Sequence, residues 1–313
     1  MKIKSVVAPV YGGPEVLTLT QTELSDPSDG QVLVEVRAAA TNPIDYKIFS
    51  GTYGDDPSRL PMSVGFEVSG VVRNLGGEVV GPSGPIHVGD NVIVFRADAG
   101  YATYVLASGD SVLPKPDAMT FEEASGLMLA GTTAVHALTV THVVAGDTVL
   151  IHGAAGGVGL MAVQLARGDG ATVIGTAGEG QHDLLRSLGA EPVTYGEGLL
   201  ERVQALAPHG VDAALDLVGS VDAGDVSFAL ANNDRIVTIV ASGHAKALGA
   251  IVIGGGGDPG TEIRDAARFE LLRRVEAGSL KVIVDATYPL ADAAAALEEL
   301  ATGHAHGKVV LTP

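Results

Sequence analysis

The chain has 313 residues, 46% of them hydrophobic, with 19 basic against 37 acidic side chains and a formal net charge of −18. That is enough apolar material for two domains or one large one, and the negative field opposes nucleic acid or anionic membrane surfaces as partners. Cysteine is absent, which excludes disulfides and thiolate chemistry and fits a reducing, cytoplasmic setting; no apolar run is long enough to span a bilayer, and MKIKSVVAPV lacks the apolar core of a signal peptide.

From Lys2 to about Phe121 the pattern predicts mostly β structure. Lys2–Ala8 reads as a strand, Asp29-Gly30 as a turn, and Gln31–Ala38 as a strand with Val32, Val34 and Val36 on alternate positions. Further short strands are expected around Glu67–Asn74, Asn91–Phe95 and Tyr101–Leu106. Between them Gly76–Gly89, with two prolines and five glycines, reads as a surface excursion.

The texture changes near Ala118–Glu123, where a helical stretch opens at Phe121 and runs through Leu138. Strands then alternate with helices: Val149–Ile151, Thr172–Thr176, Pro192–Tyr195, Val211–Leu217 and Arg235–Val240 separated by Val158–Arg167, His182–Leu188, Leu199–Leu206 and Ala223–Ala231. Such alternation predicts an α/β fold with a doubly wound parallel sheet. After Gly254–Gly257 come a helix from about Glu262 to Glu276, a strand Val282–Ala286, a helix Asp292–Ala301 with Asp292 as N-cap, and a strand Lys308–Leu311. This tail resembles the first segment more than the middle one.

The most informative stretch is Thr148–Gly159, TVLIHGAAGGVG. An apolar strand, a turn of very small residues and a helix start make a phosphate-holding device, because the first helical N–H groups have no intrahelical partner and the helix dipole places positive charge there. Against the dinucleotide fingerprint G-x-G-x-x-G the turn reads Ala154-Ala155-Gly156-Gly157-Val158-Gly159, with Ala in the first glycine position. Any anionic cofactor must be captured here by backbone geometry, since the overall field opposes it.

Several stretches together carry a family resemblance: Asn42-Pro43-Ile44-Asp45 followed by Ser50-Gly51-Thr52-Tyr53, Gly65-Phe66-Glu67-Val68-Ser69-Gly70, Gly100-Tyr101-Ala102-Thr103-Tyr104, Ala130-Gly131-Thr132-Thr133-Ala134, the His152–Gly159 turn, Leu188-Gly189-Ala190, Asp216-Leu217-Val218-Gly219 and Gly307-Lys308-Val309-Val310-Leu311. In this order and spacing the chain resembles the quinone oxidoreductase, or zeta-crystallin-like, branch of the medium-chain dehydrogenase/reductase superfamily. The resemblance implies a GroES-like, partly open β-barrel catalytic domain built from residues 1–122 and 258–313, and an inserted Rossmann nucleotide domain at 123–257. It also implies a homodimer.

Relatives with a catalytic zinc use a cysteine and a His-Glu pair, whereas this chain has no cysteine and has Phe66 before Glu67, so no zinc is expected. His304-Ala305-His306 reads as a pair of solvated loop residues. Without a metal to polarise a carbonyl, a conjugated acceptor is the better substrate, and the expected reaction is reduction of quinones or α,β-unsaturated carbonyl compounds. An enoyl reductase of a polyketide-like pathway and an NADPH-binding redox sensor with little turnover are the alternatives.

Ala154, Ala155, Gly156, Gly157 and Val158 are expected to hold the cofactor pyrophosphate. The second strand ends at Thr176 and runs through Ala177 to Gly178 with no acidic residue for the ribose hydroxyls, which favours NADPH; Glu179 close behind, and Gln181 or His182 where many relatives have lysine, pull toward NADH. By resemblance Tyr195 flanks the 2′-phosphate, with His182 and Arg186 as further candidates, although Arg186 reads equally as a solvent-facing helix residue. The resemblance puts Asn42, Thr132 and Val240-Ala241-Ser242 at the nicotinamide end. Asn42 also reads as a turn residue before Pro43, and Asp45 as a helix cap. Tyr53, Tyr46 or water can supply the proton that follows hydride transfer, with Tyr53 the better positional match and packing its competing role. His136 and His152 read as core residues, and Phe49, Tyr53, Phe95 and Phe269 as candidate pocket residues.

Overall fold

A computed structural model describes residues 1–254, 260–303 and 305–313. The expected boundary at 257/258, most of the glycine run Gly254–Gly257, and His304 lie outside the described residues. The chain forms two compact units, Met1–Leu129 with Val282–Pro313, and Ala130–Lys281. The helix Thr261–Glu276, expected with the C-terminal part of the first unit, falls in the second. Buried Gln164 holds that unit's last residue from both sides: its Nε2 donates to Lys281 O at 3.0 Å and its Oε1 accepts from Lys281 N at 2.9 Å.

In the first unit, Lys2–Ala8 pairs antiparallel with Thr18–Glu23 and with Met62–Ser63. A larger sheet runs in the order Val112–Pro114, Asn91–Phe95, Glu67–Leu75, Gln31–Ala40, Lys308–Thr312, Val284–Pro289, with Tyr104–Ser108 also paired to Gln31–Ala40. Strands from both chain ends thus share one sheet: Val310 pairs with Ala40 and Leu311 with Ala39. Val34, Val68, Val94 and Val309 are completely buried in the common core. The expected strand Tyr101–Leu106 begins later, because the Tyr101 backbone is bonded to Val64 O and Val6 N instead. Gly76–Gly89 is not wholly a surface excursion: it forms a small hairpin, Val80–Gly81 with Gly84–Pro85, and buries Val79 and Ile86. Asp292 stands at the start of the helix Ala293–Ala301 but makes no side-chain cap bond, since a 3-10 turn, Leu290–Asp292, leads into it.

The helical stretch expected from Phe121 to Leu138 is two helices, Phe121–Ser125 and Met128–Val140. Thr120 and Glu123 exchange side-chain and backbone bonds to start the first. It stops at Gly126, where a Cβ would lie 2.9 Å from the stem of Lys308.

The second unit is a six-stranded parallel sheet in the order Glu191–Val193, Thr172–Thr176, Thr148–His152, Ala213–Asp216, Ile236–Thr238, Ile251–Val252. Strand order reverses beside Thr148–His152, which pairs with Thr172–Thr176 on one side and Ala213–Asp216 on the other. Val149, Leu150 and Ile151 are completely buried, as a strand covered on both faces requires. Ligands of open parallel sheets bind outside the carboxyl ends of the strands at such a reversal. Among the described residues no helix is long and apolar enough to cross a membrane.

Candidate functional site

The glycine turn stands at that reversal. Gly153 takes a left-handed φ of +74°, and the turn is tied to the neighbouring strand: Gly153 N–H donates to Thr176 Oγ1 at 3.1 Å and Ala154 N–H to Thr176 O at 2.9 Å. The helix Gly157–Gly168 starts after Gly156 with no side-chain cap, so its first N–H groups stay open to an anion. Each small residue has a distinct reason. A Cβ on Gly159 would lie 2.2 Å from Gly153 O, so only glycine lets helix and turn pack; at Gly156 the nearest atom would be 3.5 Å away, leaving space for a ligand. Ala154 fits the first fingerprint position because the next strand carries Gly175, whose Cβ would stand 2.7 Å from that of Ala154.

Thr176 is buried, with its hydroxyl turned to the glycine turn. Gly178 follows, then the short turn Glu179–Gln181 and the helix His182–Ser187. Tyr195, 59% exposed, stands beside this segment, its hydroxyl 3.9 Å from where a Gly178 Cβ would be. His182 Nε2 is buried without a partner, whereas Arg186 is paired to Asp183 at 2.9 Å. His152, at the end of the central strand, is buried and neutral: burial pushes its pKa down to about 4, against the opposing charge of Asp216.

On the other side of the reversal, buried Asp216 accepts from the N–H groups of Val218 (3.1 Å) and Gly219 (2.7 Å) and from Thr238 Oγ1 (3.0 Å). Thr238 Oγ1 in turn accepts from Val240 N–H at 3.1 Å, so Asp216 and Thr238 fix the start of Val240-Ala241-Ser242, of which Ala241 and Ser242 are exposed. Neither residue stands out as a positioning group in sequence. Thr132, on the helix Met128–Val140, is completely buried and its hydroxyl has no partner. The second unit therefore brings the residues at 154–158, 176–178, 182 and 195 together along the carboxyl ends of its first three strands.

In the first unit Asn42, Asp45, Glu67, Tyr101 and Lys308 form one buried polar cluster. Lys308 Nζ donates to Thr41 O (3.1 Å), Asn42 Oδ1 (2.6 Å) and Glu67 Oε1 (3.1 Å). Glu67 also accepts from Asn42 Nδ2 at 3.1 Å and, through Oε2, from Leu129 N–H at 2.8 Å, capping the helix Met128–Val140. Asn42 is thus engaged inside the unit through both ends of its amide. Asp45 reaches back to Asn42 N–H (2.7 Å) at the start of the helix Pro43–Phe49 and accepts from Tyr101 Oη (2.6 Å). Its Oδ1 is buried without a partner, and burial raises its pKa from 3.8 to about 7, against the opposing bonds from Tyr101 and Asn42. This geometry makes Asp45 a helix cap in the core; it is completely buried. Tyr53 is 53% exposed, while burial and the neighbouring Tyr53 raise the pKa of Tyr46. Phe49 and Phe95, expected as pocket residues, are buried, and Phe269 is exposed.

The chain matches two family models, "Alcohol dehydrogenase GroES-like domain" over residues 28–117 and "Zinc-binding dehydrogenase" over residues 188–311. It is 32% identical to the quinone oxidoreductase of Sus scrofa, covering 96% of this chain and 95% of that protein. The chain belongs to the quinone oxidoreductase family of medium-chain dehydrogenases/reductases. Other proteins are similar to this chain over most of their length. An Arabidopsis thaliana chloroplastic protein named NADPH-dependent alkenal/one oxidoreductase is 31% identical over 100% of this chain and 80% of its own length. The solved structure of mycobacterial Rv1454c in complex with NADPH is 32% identical, with a TM-score of 0.87 over 99% of this chain and all of that one. As a quinone oxidoreductase family member the chain is an oxidoreductase with a GroES-like unit and a Rossmann-like unit.

The name of the C-terminal family model raises the question of zinc, and the residues at Phe66-Glu67 do not fit one. Both oxygens of Glu67 are taken by N–H donors, and a lysine ammonium sits 3.1 Å from one of them, where a dication would be repelled. Phe66 offers no donor, and no cysteine exists in the chain.

Proposed function

We propose that this protein transfers hydride from NADPH to quinones or α,β-unsaturated carbonyl compounds. The observation that carries the reading is the end of the second parallel strand: Thr176 turns its side chain to the glycine turn, Ala177 and Gly178 present no carboxylate, exposed Glu179 follows only after them, and exposed Tyr195 stands beside Gly178. Open N–H groups at Gly157 and Val158 would hold the pyrophosphate. Tyr195, Gly178 and His182 would receive the 2′-phosphate, and Thr132 with Val240-Ala241-Ser242 the nicotinamide end. The unpartnered hydroxyl of Thr132 supports that placement, because a buried donor lacking a bond is costly unless a ligand supplies one.

When bound, NADPH supplies the hydride. A quinone or enone spreads the arriving negative charge through its conjugated system, so it needs less electrophilic help than an isolated carbonyl. Tyr53, half exposed, can exchange its proton with solvent and is the acid assigned to the oxygen of the reduced acceptor, a task water also performs. The names of the pig and Arabidopsis relatives, and the NADPH in the mycobacterial structure, support the same reading.

The test is absorbance loss of NADPH and, separately, NADH with a simple quinone and a simple enone, with and without a chelator. Faster loss of NADPH with either acceptor, unaffected by the chelator, is the expected result. Tight NADPH binding without oxidation by either acceptor would overturn it in favour of a narrow biosynthetic substrate or a sensor.

A further inference from the structure

The loop that carries Tyr195 is wrapped around a single cation. Gly196 and Gly198 take left-handed φ values of +89° and +75°, which curl the chain between the strand Glu191–Val193 and the helix Leu199–Leu206. The carbonyls of four consecutive residues converge on the guanidinium of Arg202. Nε donates to Thr194 O at 3.1 Å; Nη2 donates to Thr194 O at 2.7 Å, Gly196 O at 3.2 Å and Tyr195 O at 3.4 Å; Nη1 donates to Glu197 O at 2.7 Å. Every donor goes to backbone, and Arg202 forms no ion pair among the described residues. The planar fork of arginine suits such a task, since lysine cannot reach several fixed acceptors in one plane.

Two features give this arrangement a direction. Tyr195 stands beside Gly178 at the carboxyl ends of neighbouring strands, Thr176 pairing with Val193. In a chain of net charge −18, the other arginine near the segment, Arg186, already has its charge paired with Asp183. The guanidinium of Arg202 is instead spent on the backbone of the loop that carries Tyr195.

We propose that Arg202 is a positioning residue for cofactor choice: by gathering the carbonyls of residues 194–197 it fixes the loop that sets the Tyr195 hydroxyl beside Gly178 to receive a 2′-phosphate. This rests on the NADPH reading above. Arg202 acts through Tyr195, without touching the reacting atoms. Its loss therefore weakens recognition of the 2′-phosphate and spares both the rest of the nucleotide and the hydride-transfer end.

The experiment is calorimetric titration of the full chain with adenosine 2′,5′-bisphosphate and with 5′-AMP, for wild type, R202M, R202K, Y195F and R202M/Y195F, together with KM and kcat for NADPH. Wild type is expected to prefer the bisphosphate by at least tenfold. R202M should lose about tenfold in that preference, the size of one charge-assisted contact, with R202K between the two. KM for NADPH should rise in step while kcat stays within about twofold, and Y195F should cost less in the R202M background than alone, because the two act as one unit. If R202M does not fold, R202K, which keeps the charge but loses the fork, carries the same comparison. Wild type binding both nucleotides equally would overturn the NADPH reading and this proposal with it. Wild type preferring the bisphosphate, with R202M and R202K keeping that preference or weakening both nucleotides alike, would overturn this proposal alone.

Discussion

Replacing Asp45 with asparagine should flatten the pH dependence of stability in the first unit. In the folded chain Asp45 is completely buried, and burial raises its pKa from 3.8 to about 7 even though Tyr101 and Asn42 donate to it and Lys308 lies near; Glu67 adds to the rise. Below pH 4 the group is protonated in both folded and unfolded chains. Between about pH 4 and 7 the folded state holds a proton that the unfolded state releases, so stability falls as pH rises, by about 1.4 kcal/mol per pH unit. From pH 5 to pH 7 the loss is roughly 2 kcal/mol, and above pH 7 it levels off. The amide in D45N cannot ionise. Its oxygen can still accept from Asn42 N–H and Tyr101 Oη, but its hydrogens would take the place of the unpartnered Oδ1, at a cost of about 1–3 kcal/mol at every pH. D45N should thus be the less stable protein at pH 5 and should draw level with wild type or pass it by pH 7.5. Urea unfolding at pH 5, 6, 7 and 7.5, followed by far-UV circular dichroism because the chain has no tryptophan, measures this directly. Parallel profiles for the two proteins would refute the argument.

Three other substitutions test the remaining geometry. K308M strands the Glu67 carboxylate in a dry site and should cost about 3–5 kcal/mol of stability in urea, with E67Q in the same chain recovering at least half. G159A forces a Cβ against Gly153 O, which should destabilise by about 1–3 kcal/mol and raise KM for NADPH more than tenfold; a variant with unchanged melting and unchanged KM would show the turn to be slack. T132V removes a buried hydroxyl that has no partner, so the cofactor-free protein should melt no lower than wild type while NADPH binding, read by calorimetry, weakens by about tenfold.

The strand, turn and helix at Thr148–Gly168 were legible because their causes are local: an apolar run, residues too small to obstruct a ligand, and helical spacing after them. Thr18–Glu23 is not legible in the sequence because the strand TLTQTE buries no residue and so carries no alternating apolar signal. The division between Phe121–Ser125 and Met128–Val140 depends on Lys308 filling the space at Gly126 and on Glu67 capping Leu129, contacts made by residues remote in the chain. The same holds for the cluster of Asn42, Asp45, Glu67, Tyr101 and Lys308, and for Asp216 with Thr238. A lysine inside the apolar run Lys308–Leu311 was a readable sign of a buried partner, but nothing local identified Glu67 as that partner. Arg202 left no such sign, since a helix surface arginine is ordinarily solvated.

The fit between Ala154 and Gly175 gives this nucleotide turn a history that can be run in only one order. The two positions share room for a single methyl group, and here it belongs to Ala154. A change of Gly175 to alanine would jam the turn unless Ala154 had already become glycine, whereas A154G alone leaves a small vacancy that the chain can tolerate. Swapping the pair therefore has a passable intermediate on one side and a blocked one on the other, and a consensus glycine introduced at 154 would quietly unlock the second site.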